Sequence, residues 1–430
     1  MRARRRLASS LAVLLSATVA CVPAARVVAP PAPARPPPEF VRADIGCAPS
    51  TEPAALTRFF GQRLGPLLGA DYHRAQPLPD GRVVWFVQDA FIDHSRTVAT
   101  LDRSGFAHNA VLVQNGRCFQ LVHKGTAAAP ASFEPGAGET VVKRWWWALG
   151  TEVDGNVLKV FWVEMRKDPA RPPTAEGLPY APVRTWVGAY RTSDLKKLWF
   201  RAAADPAVQP IYGYSVASDA THSYLFGNSY LQDWWREGGF WGAHSAVDVY
   251  LARVPRGRLE AVPEYWAGWG WTPSRADAVS ISSRFWTENP LQPRLIDGRW
   301  IAVTKEDGFF GDEILVDVAP APQGPWTTVQ RVPVTARGGG DMASTYHAHL
   351  APWRTSNGGL AVALSNNAWD MPAHGYSNPG LYRPQWFAVA WPPEPTVEPT
   401  DAASPTAATT VEPIDQVQPP PAPPAHLPKR

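Results

Sequence analysis

Residues 69–89 read GADYHRAQPLPDGRVVWFVQD, and this stretch decides the fold. Asp80-Gly81 separates two runs of residues that contain β-branched and aromatic side chains. An Asp-Gly pair between such runs is the strongest short-range signal for a β-hairpin with a two-residue turn. The stretch therefore predicts two antiparallel strands that meet at Asp80.

The same hairpin unit recurs along the chain. Its turns are predicted at Asp80-Gly81, Asp154-Gly155, Ser218-Asp219, Asp297-Gly298 and Asn357-Gly358. One or two further short strands follow each hairpin, and little helix is expected apart from Glu52 to Leu64. Self-similarity at intervals of 74, 65, 78 and 60 residues indicates a propeller or an array. Three to four antiparallel strands repeated five times predict an all-β, five-bladed β-propeller.

The first residues of the chain resemble an export signal. A basic start is followed by an apolar run from Leu7 to Ala20, which is shorter than the roughly 20 residues that a transmembrane helix needs. Small residues lead into Cys21, as in a bacterial lipobox, so we expect Cys21 to be lipidated. The alternative is ordinary cleavage nearby, with Cys21 lost or incidental. The expected product is a secreted or cell-surface lipoprotein, held to the membrane only by its lipid.

Composition sets the expected domain boundaries. Residues 1–21 form the signal and 22–42 a Pro/Ala-rich tether, while 393–430 form a Pro/Thr-rich tail with too few large apolar residues to fold. The propeller, expected to be a monomer, then occupies 43–392. It contains Cys47 and Cys118, which in an oxidising compartment favour a disulfide. The alternative is two buried free thiols.

Charge and aromatic content narrow the class of partner. The formal net charge is +3 and no Lys/Arg run follows the signal, so a basic face for nucleic acid is not expected. The chain contains 20 Trp residues, whose rings can stack on sugars and so favour a polysaccharide partner. Most of these rings are nevertheless expected to fill the cores between blades.

Two pairs of acids lie symmetrically about predicted turns. Asp71 and Asp89 are equally far from Asp80, so the unbroken hairpin places them opposite each other. Like charges about 5 Å apart destabilise a sheet, but two carboxyl groups held together can keep one proton between them. Glycoside hydrolysis requires such an acid and carboxylate. The same count from Asp297 pairs Glu288 with Glu306, which are second candidates for catalysis.

Polar residues at equivalent strand ends are expected to form a ring at one rim of the central channel and to bind substrate. They are Glu164, Asn228, Asn366, Tyr346, His347 and His349. For any single acid of the rim, hydrogen bonding to backbone N–H groups or to Arg is the alternative. For the two His residues, packing or hydrogen bonding is favoured over metal ligation. No ligand pattern argues for a cofactor, and bound Ca²⁺ in the channel is left open.

The opening blade also resembles a known group of proteins. The motifs that carry the resemblance are Gly69-Ala70-Asp71, Leu78-Pro79-Asp80-Gly81-Arg82, Trp85-Phe86-Val87-Gln88-Asp89-Ala90-Phe91, His108-Asn109-Ala110 and Tyr346-His347-Ala348-His349. They resemble secreted bacterial five-bladed propellers catalogued as domains of unknown function 4185 and 5005. Gly324-Pro325-Trp326 is similar to a segment of related glycosidase propellers.

The resemblance implies a fold like that of arabinanase and fructosidase propellers. Some members of the first family are classed as endo-D-arabinanases, and their paired acids correspond to Asp71 and Asp89 here. It also implies that His108 and Asn109 contribute to substrate binding. Gln88 stands where the family usually has Gly, and Ala110 where it usually has Ser.

Two functional hypotheses follow. The first is a glycoside hydrolase of the endo-arabinanase type that acts on a polysaccharide, furanose-rich or otherwise, through Asp71 and Asp89. The second is a non-catalytic carbohydrate-binding or cell-envelope scaffold propeller in which the rim acids are structural.

Overall fold

Five antiparallel sheets follow one another along the chain in the computed structural model, which describes residues 39–136, 144–167, 180–228, 246–285, 291–306, 311–338, 343–368 and 371–392. The predicted signal, the lipidation site Cys21, nearly all of the tether and the tail lie outside these residues. The globular unit begins at Phe40, slightly before the predicted start at 43. No helix of the described ranges is long and apolar enough to cross a membrane.

Blade one is built around the quoted hairpin. Its strands are β1 (Val41–Cys47), β2 (Leu67–Pro77), β3 (Val83–Ile92), β4 (Gly105–Asn115), β5 (Cys118–Gly125) and the short β6 (Pro130–Ala131). Helix α1 spans Pro53–Phe60, and a 3₁₀ turn spans Leu101–Arg103. The sheet order is β1-β5-β4-β3-β2, with β6 paired to β5. The first hairpin strand, β2, is therefore innermost and the N-terminal strand is outermost.

Blades two to five repeat this plan from the inside outward. Blade two contains β7 (Arg144–Asp154), β8 (Val157–Lys167), β9 (Tyr180–Arg191) and β10 (Lys197–Ala202). Blade three contains β11 (Ile211–Ser218), β12 (His222–Asn228), β13 (Ala246–Pro255), β14 (Glu264–Trp266), β15 (Trp271–Thr272) and β16 (Ser280–Phe285), with a 3₁₀ turn at Arg275–Asp277. Blade four contains β17 (Gln292–Ile296), β18 (Arg299–Lys305), β19 (Glu313–Ala319) and β20 (Thr327–Pro333). Blade five contains β21 (Ala343–Arg354), β22 (Leu360–Ala368) and β23 (Gln385–Val389), with a π-helical turn at Met371–Gly375 and a 3₁₀ turn at Pro379–Tyr382.

The inner strands β2, β7, β11, β17 and β21 contact one another in cyclic order, which closes the ring around a central channel. The predicted five-bladed β-propeller is confirmed. Large aromatic side chains fill the seams between blades, as expected for most of the Trp residues. Phe86 of blade one meets Trp162 of blade two at 5.7 Å between ring centroids, and Tyr224 of blade three meets Trp300 of blade four at 5.2 Å.

The N-terminal segment joins the first and last blades. Cys47 and Cys118 form a disulfide between β1 and β5, the pairing that the sequence favours. Helix α1 then packs against the outer strand of blade five, β23. There the hydroxyl of Thr57 accepts a hydrogen bond from the Trp386 N–H at 2.8 Å and donates one to the Trp386 carbonyl at 3.1 Å. One segment thus holds both sides of the ring's closing seam.

The register of the first hairpin is regular only near its turn. Ala75 faces Trp85 and Pro77 faces Val83, as a turn centred on Asp80 requires. Bulges interrupt the pairing beyond Arg74, so that Asp71 lies opposite Gln88. The expectation that Asp71 directly faces Asp89 is therefore wrong, because extra residues in the bulged strand shift the register by one.

The strand register of blade four also differs from the expectation, here because of the position of its turn. Ile296 pairs with Arg299 and Gln292 with Val303, so the hairpin is centred between Asp297 and Gly298 and not on Asp297. The count that paired Glu288 with Glu306 is therefore off by one. Glu288 itself lies outside the described residues.

Candidate active site at the channel rim

Asp71 lies near the start of β2, buried at the rim of the channel with 6% of its surface exposed. The hydroxyl of Tyr346 from blade five donates to Asp71 Oδ2 at 2.6 Å, and accepts in turn from Asn367 Nδ2 at 3.1 Å. The buried phenol of Tyr382, also from blade five, interacts electrostatically with Asp71. The carboxyl group is thus hydrogen-bonded by one phenol of the neighbouring blade and influenced by a second.

Asp89 lies on the adjacent strand β3 and is more open, with 22% of its side chain exposed. Its Oδ1 accepts hydrogen bonds from His108 Nδ1 at 3.0 Å and from the indole N–H of Trp147 at 3.1 Å. The His108 ring is stacked on Trp145 of blade two at 4.5 Å. Within the described part of the chain, Oδ2 of Asp89 receives no hydrogen bond, so this oxygen is available to a ligand.

Tyr382 connects the two carboxyl groups electrostatically. Burial is the main cause that raises the pKa of this phenol well above its usual value, and interactions with the carboxyl groups of Asp71 and Asp89 add to it. Both acids therefore act on one buried hydroxyl, although they are not opposed across the hairpin. The sequence predicts that the two acids meet as a directly opposed pair, whereas the bulges place Asp71 opposite Gln88, the neighbour of Asp89.

The backbone around this site has an unusual conformation. Tyr72, Asp89 and His347 all adopt positive φ, at 50°, 45° and 52°. Non-glycine residues rarely do so, and each costs of order 1 kcal/mol. The Tyr72 N–H donates to Ser365 Oγ at 2.8 Å, and its ring stacks on His347 at 4.7 Å. Blades one and five together therefore hold the chain in this conformation, as is common at functional sites.

Glu306, another predicted catalytic acid, lies in a different environment from Asp71 and Asp89. Glu306 follows β18 and forms an ion pair with Arg331 of β20, a residue that also binds Glu313. These side chains lie toward the outer strands of blade four and are partly exposed to solvent. Glu306 is thus held by Arg, which is the structural alternative for a rim acid.

Three amides predicted to bind substrate are buried, and protein groups hydrogen-bond two of them. Asn109 is fully buried and bonds the backbone of Glu134 and Trp146, which ties blade one to blade two. Asn366 bonds the backbone of Arg337 and Arg383. The Asn109 and Asn366 amides therefore position loops and do not face a ligand. Asn228, at the end of β12, is buried, with 4% of its surface exposed.

Glu164 is the centre of a buried ion cluster in blade two. Its carboxylate is fully shielded from solvent and bonds three guanidinium groups and the indole of Trp186; the cations are Arg144, Arg166 and Arg184. Burial opposes the charged form, but the Arg partners outweigh it and lower the pKa of Glu164. Each cation gains a structural partner, so Glu164 is not free to bind substrate.

The two His residues of blade five line the middle of the channel below Asp71. His347 is 1% exposed and stacks on His349 with ring centroids 5.8 Å apart. His349 Nε2 accepts the Ala75 N–H at 3.0 Å, which fixes its ring against β2. Burial and the nearby Arg74 keep the pKa of both rings well below the usual value. Among the described residues, no group of three His, Cys, Asp or Glu could hold a metal ion.

Three functional residues were not found from the sequence. Trp145 and Trp147 occupy the positions of blade two that correspond to Asp71 and His73 of blade one, because Trp145 is as far from Asp154 as Asp71 is from Asp80. Counting outward from Asp154, as was done from Asp80, could therefore have identified both Trp residues. Tyr382 belongs to a 3₁₀ turn without an equivalent in the other blades, so no repeat signal marks it.

Comparison with known proteins supports the architecture. A protein from Bacteroides ovatus, provisionally described as a hydrolase, has a TM-score of 0.59 and 16% identity over 77% of this chain and 88% of that chain. CoXyl43, a GH43 beta-xylosidase/alpha-arabinofuranosidase from a compost microbial metagenome, has a TM-score of 0.42 and 13% identity over 80% of this chain and 96% of that chain. For an alpha-L-arabinofuranosidase from Lactobacillus brevis the values are 0.39 and 11%, over 76% and 92%. At 16% identity the likeness to the Bacteroides ovatus protein shows the fold alone.

No curated protein matches the chain. The pattern of one protein family, however, matches residues 55–391, which include Asp71, Asp89 and all five inner strands. The chain therefore belongs to the family described as Domain of unknown function (DUF5005).

Proposed function

We propose that this protein is an exported glycoside hydrolase, secreted or lipid-anchored at the cell surface, which cleaves a polysaccharide with Asp71 and Asp89. The observation that carries the proposal is a pair of carboxyl groups in one rim site on a strained backbone, Asp71 hydrogen-bonded by Tyr346 and Asp89 by His108 and Trp147. The resemblance of the opening blade to arabinanase propellers agrees with an arabinan-like substrate.

The two carboxyl groups have different partners, and this suggests different roles. The indole N–H of Trp147 can only donate, so Asp89 Oδ1 must accept, which suits a carboxylate. Tyr346 donates to Asp71 in this structure, but a phenol hydroxyl can also accept, so the same contact allows a protonated Asp71. Asp71 is also the more deeply buried acid. Burial disfavours a charged carboxyl group, so Asp71 is the better candidate to carry a proton.

These roles fit hydrolysis of a glycosidic bond. Asp71 would give its proton to the leaving glycosidic oxygen as the bond to the sugar carbon breaks. Asp89, through its open Oδ2, would take a proton from the attacking water or would itself attack the sugar carbon. Trp145 and Trp147 are themselves buried, and they hold His108 and Asp89 in place by stacking and by the indole hydrogen bond.

The direct test compares Asp71→Asn and Asp89→Asn with the parent protein on a panel of arabinans and other polysaccharides. Each change keeps the shape of the side chain but removes acid–base capacity, so we expect losses of about 10²- to 10⁴-fold in turnover. Asp277→Asn is the matched control, because Asp277 is exposed in the 3₁₀ turn of blade three. Full activity in both rim variants would refute the assignment.

A second candidate function follows from the burial of Asp71. An acid that is only 6% exposed and hydrogen-bonded to a phenol is also what a purely structural residue would show. The protein would then be a non-catalytic carbohydrate-binding propeller. Binding on a glycan array without any release of reducing ends, in the parent protein as in both variants, would favour this function over hydrolysis.

A further inference from the structure

A cluster of three arginines lies at the rim of blade two. Arg144 of β7 is directly opposite Arg166 of β8, and Arg184 of β9 is directly opposite Glu164. Like charges opposite each other destabilise a sheet, so their placement calls for a reason. Among the described residues, Glu164 is the acid that pairs with all three guanidinium groups. Three positive charges against one negative charge leave this arginine cluster with a net charge of +2.

The cluster presents hydrogen-bond donors to solvent. The Nε atoms of its guanidinium groups lie 2.8–2.9 Å from the carboxylate oxygens of Glu164. Both terminal nitrogens of Arg144 and of Arg184 lack a hydrogen-bond partner in the described part of the chain, and solvent reaches them. The exposed fractions of these two side chains are 29% and 42%. The donors are therefore accessible to a ligand.

Neighbouring groups also hold these guanidinium groups in place. Arg184 lies over the Trp186 ring at 4.7 Å, and Arg144 lies over the Trp146 ring at 5.7 Å. A long surface side chain usually loses conformational freedom when it binds a ligand, and this loss weakens binding. Here the Glu164 carboxylate and the two indole rings order the side chains before any ligand arrives, so less of that cost remains.

The arginine cluster lies close to the candidate active site. Trp145, whose ring stacks on His108, directly follows Arg144 in the chain. Trp147, whose indole donates to Asp89, follows Arg144 by three residues, or roughly 10 Å of extended strand. A polysaccharide chain bound at Asp89 can therefore reach the cluster with a sugar a few units away from the bond that is cleaved.

We propose that the arginine cluster binds acidic groups of the substrate, so that the polysaccharide bound at this rim is anionic. This inference rests on the proposed function and names its substrate class. Guanidinium groups match the paired oxygens of carboxylate, sulfate and phosphate groups, and a net positive charge attracts them. An unsubstituted arabinan carries no such group and should bind less tightly than an acidic chain.

The test measures binding to the whole protein by isothermal titration calorimetry. The probes are oligosaccharides of equal length: an oligogalacturonate, a dextran sulfate, a phosphomannan and, as the neutral reference, an arabino-oligosaccharide. We expect the best acidic probe to bind at least about 10-fold more tightly than the neutral one, and its affinity to fall as sodium chloride is added. That probe identifies the acidic group. Equal affinity for acidic and neutral probes, or equally tight binding of a DNA oligonucleotide, would overturn the proposal.

Arg184→Gln separates the cluster from general attraction between charges. Glu164 keeps two guanidinium partners in this variant, and affinity for the best acidic probe should fall about 10-fold, since one charged donor is lost. Affinity for the neutral probe should not change. Arg191→Gln is the matched control, because Arg191 lies toward the other end of β9, is 46% exposed and pairs with one acid, Asp194. Equal losses in both variants would contradict the proposal.

Chemical modification of the parent protein gives an independent result. Phenylglyoxal, which modifies accessible arginine side chains, is applied with and without the best acidic probe, and the modified residues are identified by mass spectrometry. Protection of Arg144 and Arg184 but not of Arg191 supports the site, and equal modification with and without the probe refutes it. This measurement stands even if Arg184→Gln does not fold. Binding of the acidic probe without its cleavage would uphold the cluster and count against hydrolysis, so the two proposals fail separately.

Discussion

Gly69 shows how one small residue supports the candidate active site. A Cβ atom added at this position would lie 2.4 Å from the carbonyl oxygen of Tyr382, whose buried phenol interacts electrostatically with Asp71. Any larger residue must push the Tyr382 turn away from β2. The Gly69-Ala70-Asp71 motif is thus explained by close packing of the backbone that carries Tyr382.

We therefore expect Gly69→Ala to displace Tyr382. Unfolding by denaturant should show a loss of about 1–3 kcal/mol, the usual cost of overpacking. Polysaccharide turnover should fall further than this loss explains, because Asp71 loses a partner. Gly270→Ala is the control, since a Cβ there meets nothing within 4 Å. Equal stability of the two variants would show that the Tyr382 turn yields freely.

The residues of the site could be predicted from the sequence better than their geometry. Asp71 and Asp89 were identified by counting from Asp80, and both lie in the site. The count assumed an unbroken ladder, however, and positive φ at Tyr72 and Asp89 breaks it. Neither residue type signals such a conformation, since it is imposed by contacts with blade five that are distant in sequence.

Among the secondary-structure elements, the repeated hairpins were predictable and the closing segment was not. Each Asp-Gly or Asn-Gly turn determines its own hairpin locally, whereas β1 pairs with β5 across 71 residues of sequence and has no equivalent in other blades. The helix expected over Glu52 to Leu64 is present as the shorter α1, and Gly61 follows its last residue. Its contact with β23 was not evident from any local pattern.

Thr57 provides the test of that contact. Thr57→Val removes both hydrogen bonds to Trp386 while keeping the volume of the side chain. It leaves a backbone N–H and a carbonyl at the seam without partners, and we expect a loss of about 1–3 kcal/mol in the free energy of unfolding. Thr57→Ser keeps the hydroxyl and should lose much less. If Val and Ser are equally tolerated, α1 does not hold the ring closed through Trp386.

At the scale of the whole molecule, the channel joins two regions of different character. The rim site holds the two acids, while the rest of the channel contains Arg74, Arg294 and three shielded His residues, His347, His349 and His73. The third of these, His73, is 2% exposed, and burial alone lowers its pKa to about 3. All three rings are therefore neutral in the folded protein at neutral pH.

This arrangement makes the propeller sensitive to mild acid. In the unfolded chain these His residues take up protons below about pH 6.5, but in the folded protein they do not until the pH is far lower. Their contribution to stability is therefore complete above pH 6.5 and is lost progressively as the pH falls toward 3. By pH 5.5 each costs about 1.4 kcal/mol, or about 4 kcal/mol for the three.

Carboxylates with lowered pKa values affect the free energy of unfolding over a different pH range. Asp219, whose pKa is about 2, and Glu164 lose their stabilising contribution only as the pH falls below the values of unfolded acids, near 4. Between pH 7 and 5.5 the His rings should dominate, so the free energy of unfolding should fall steeply there. His94 and His123, whose pKa values burial also lowers, act in the same window. His73→Asn should therefore reduce this fall by about 1.4 kcal/mol, the share of one ring, whatever its stability at pH 7, while the exposed His374→Asn should leave the slope unchanged. A pH profile that is flat down to 5.5, or equally steep in His73→Asn, would mean that the channel admits protons and water to these rings in the folded state.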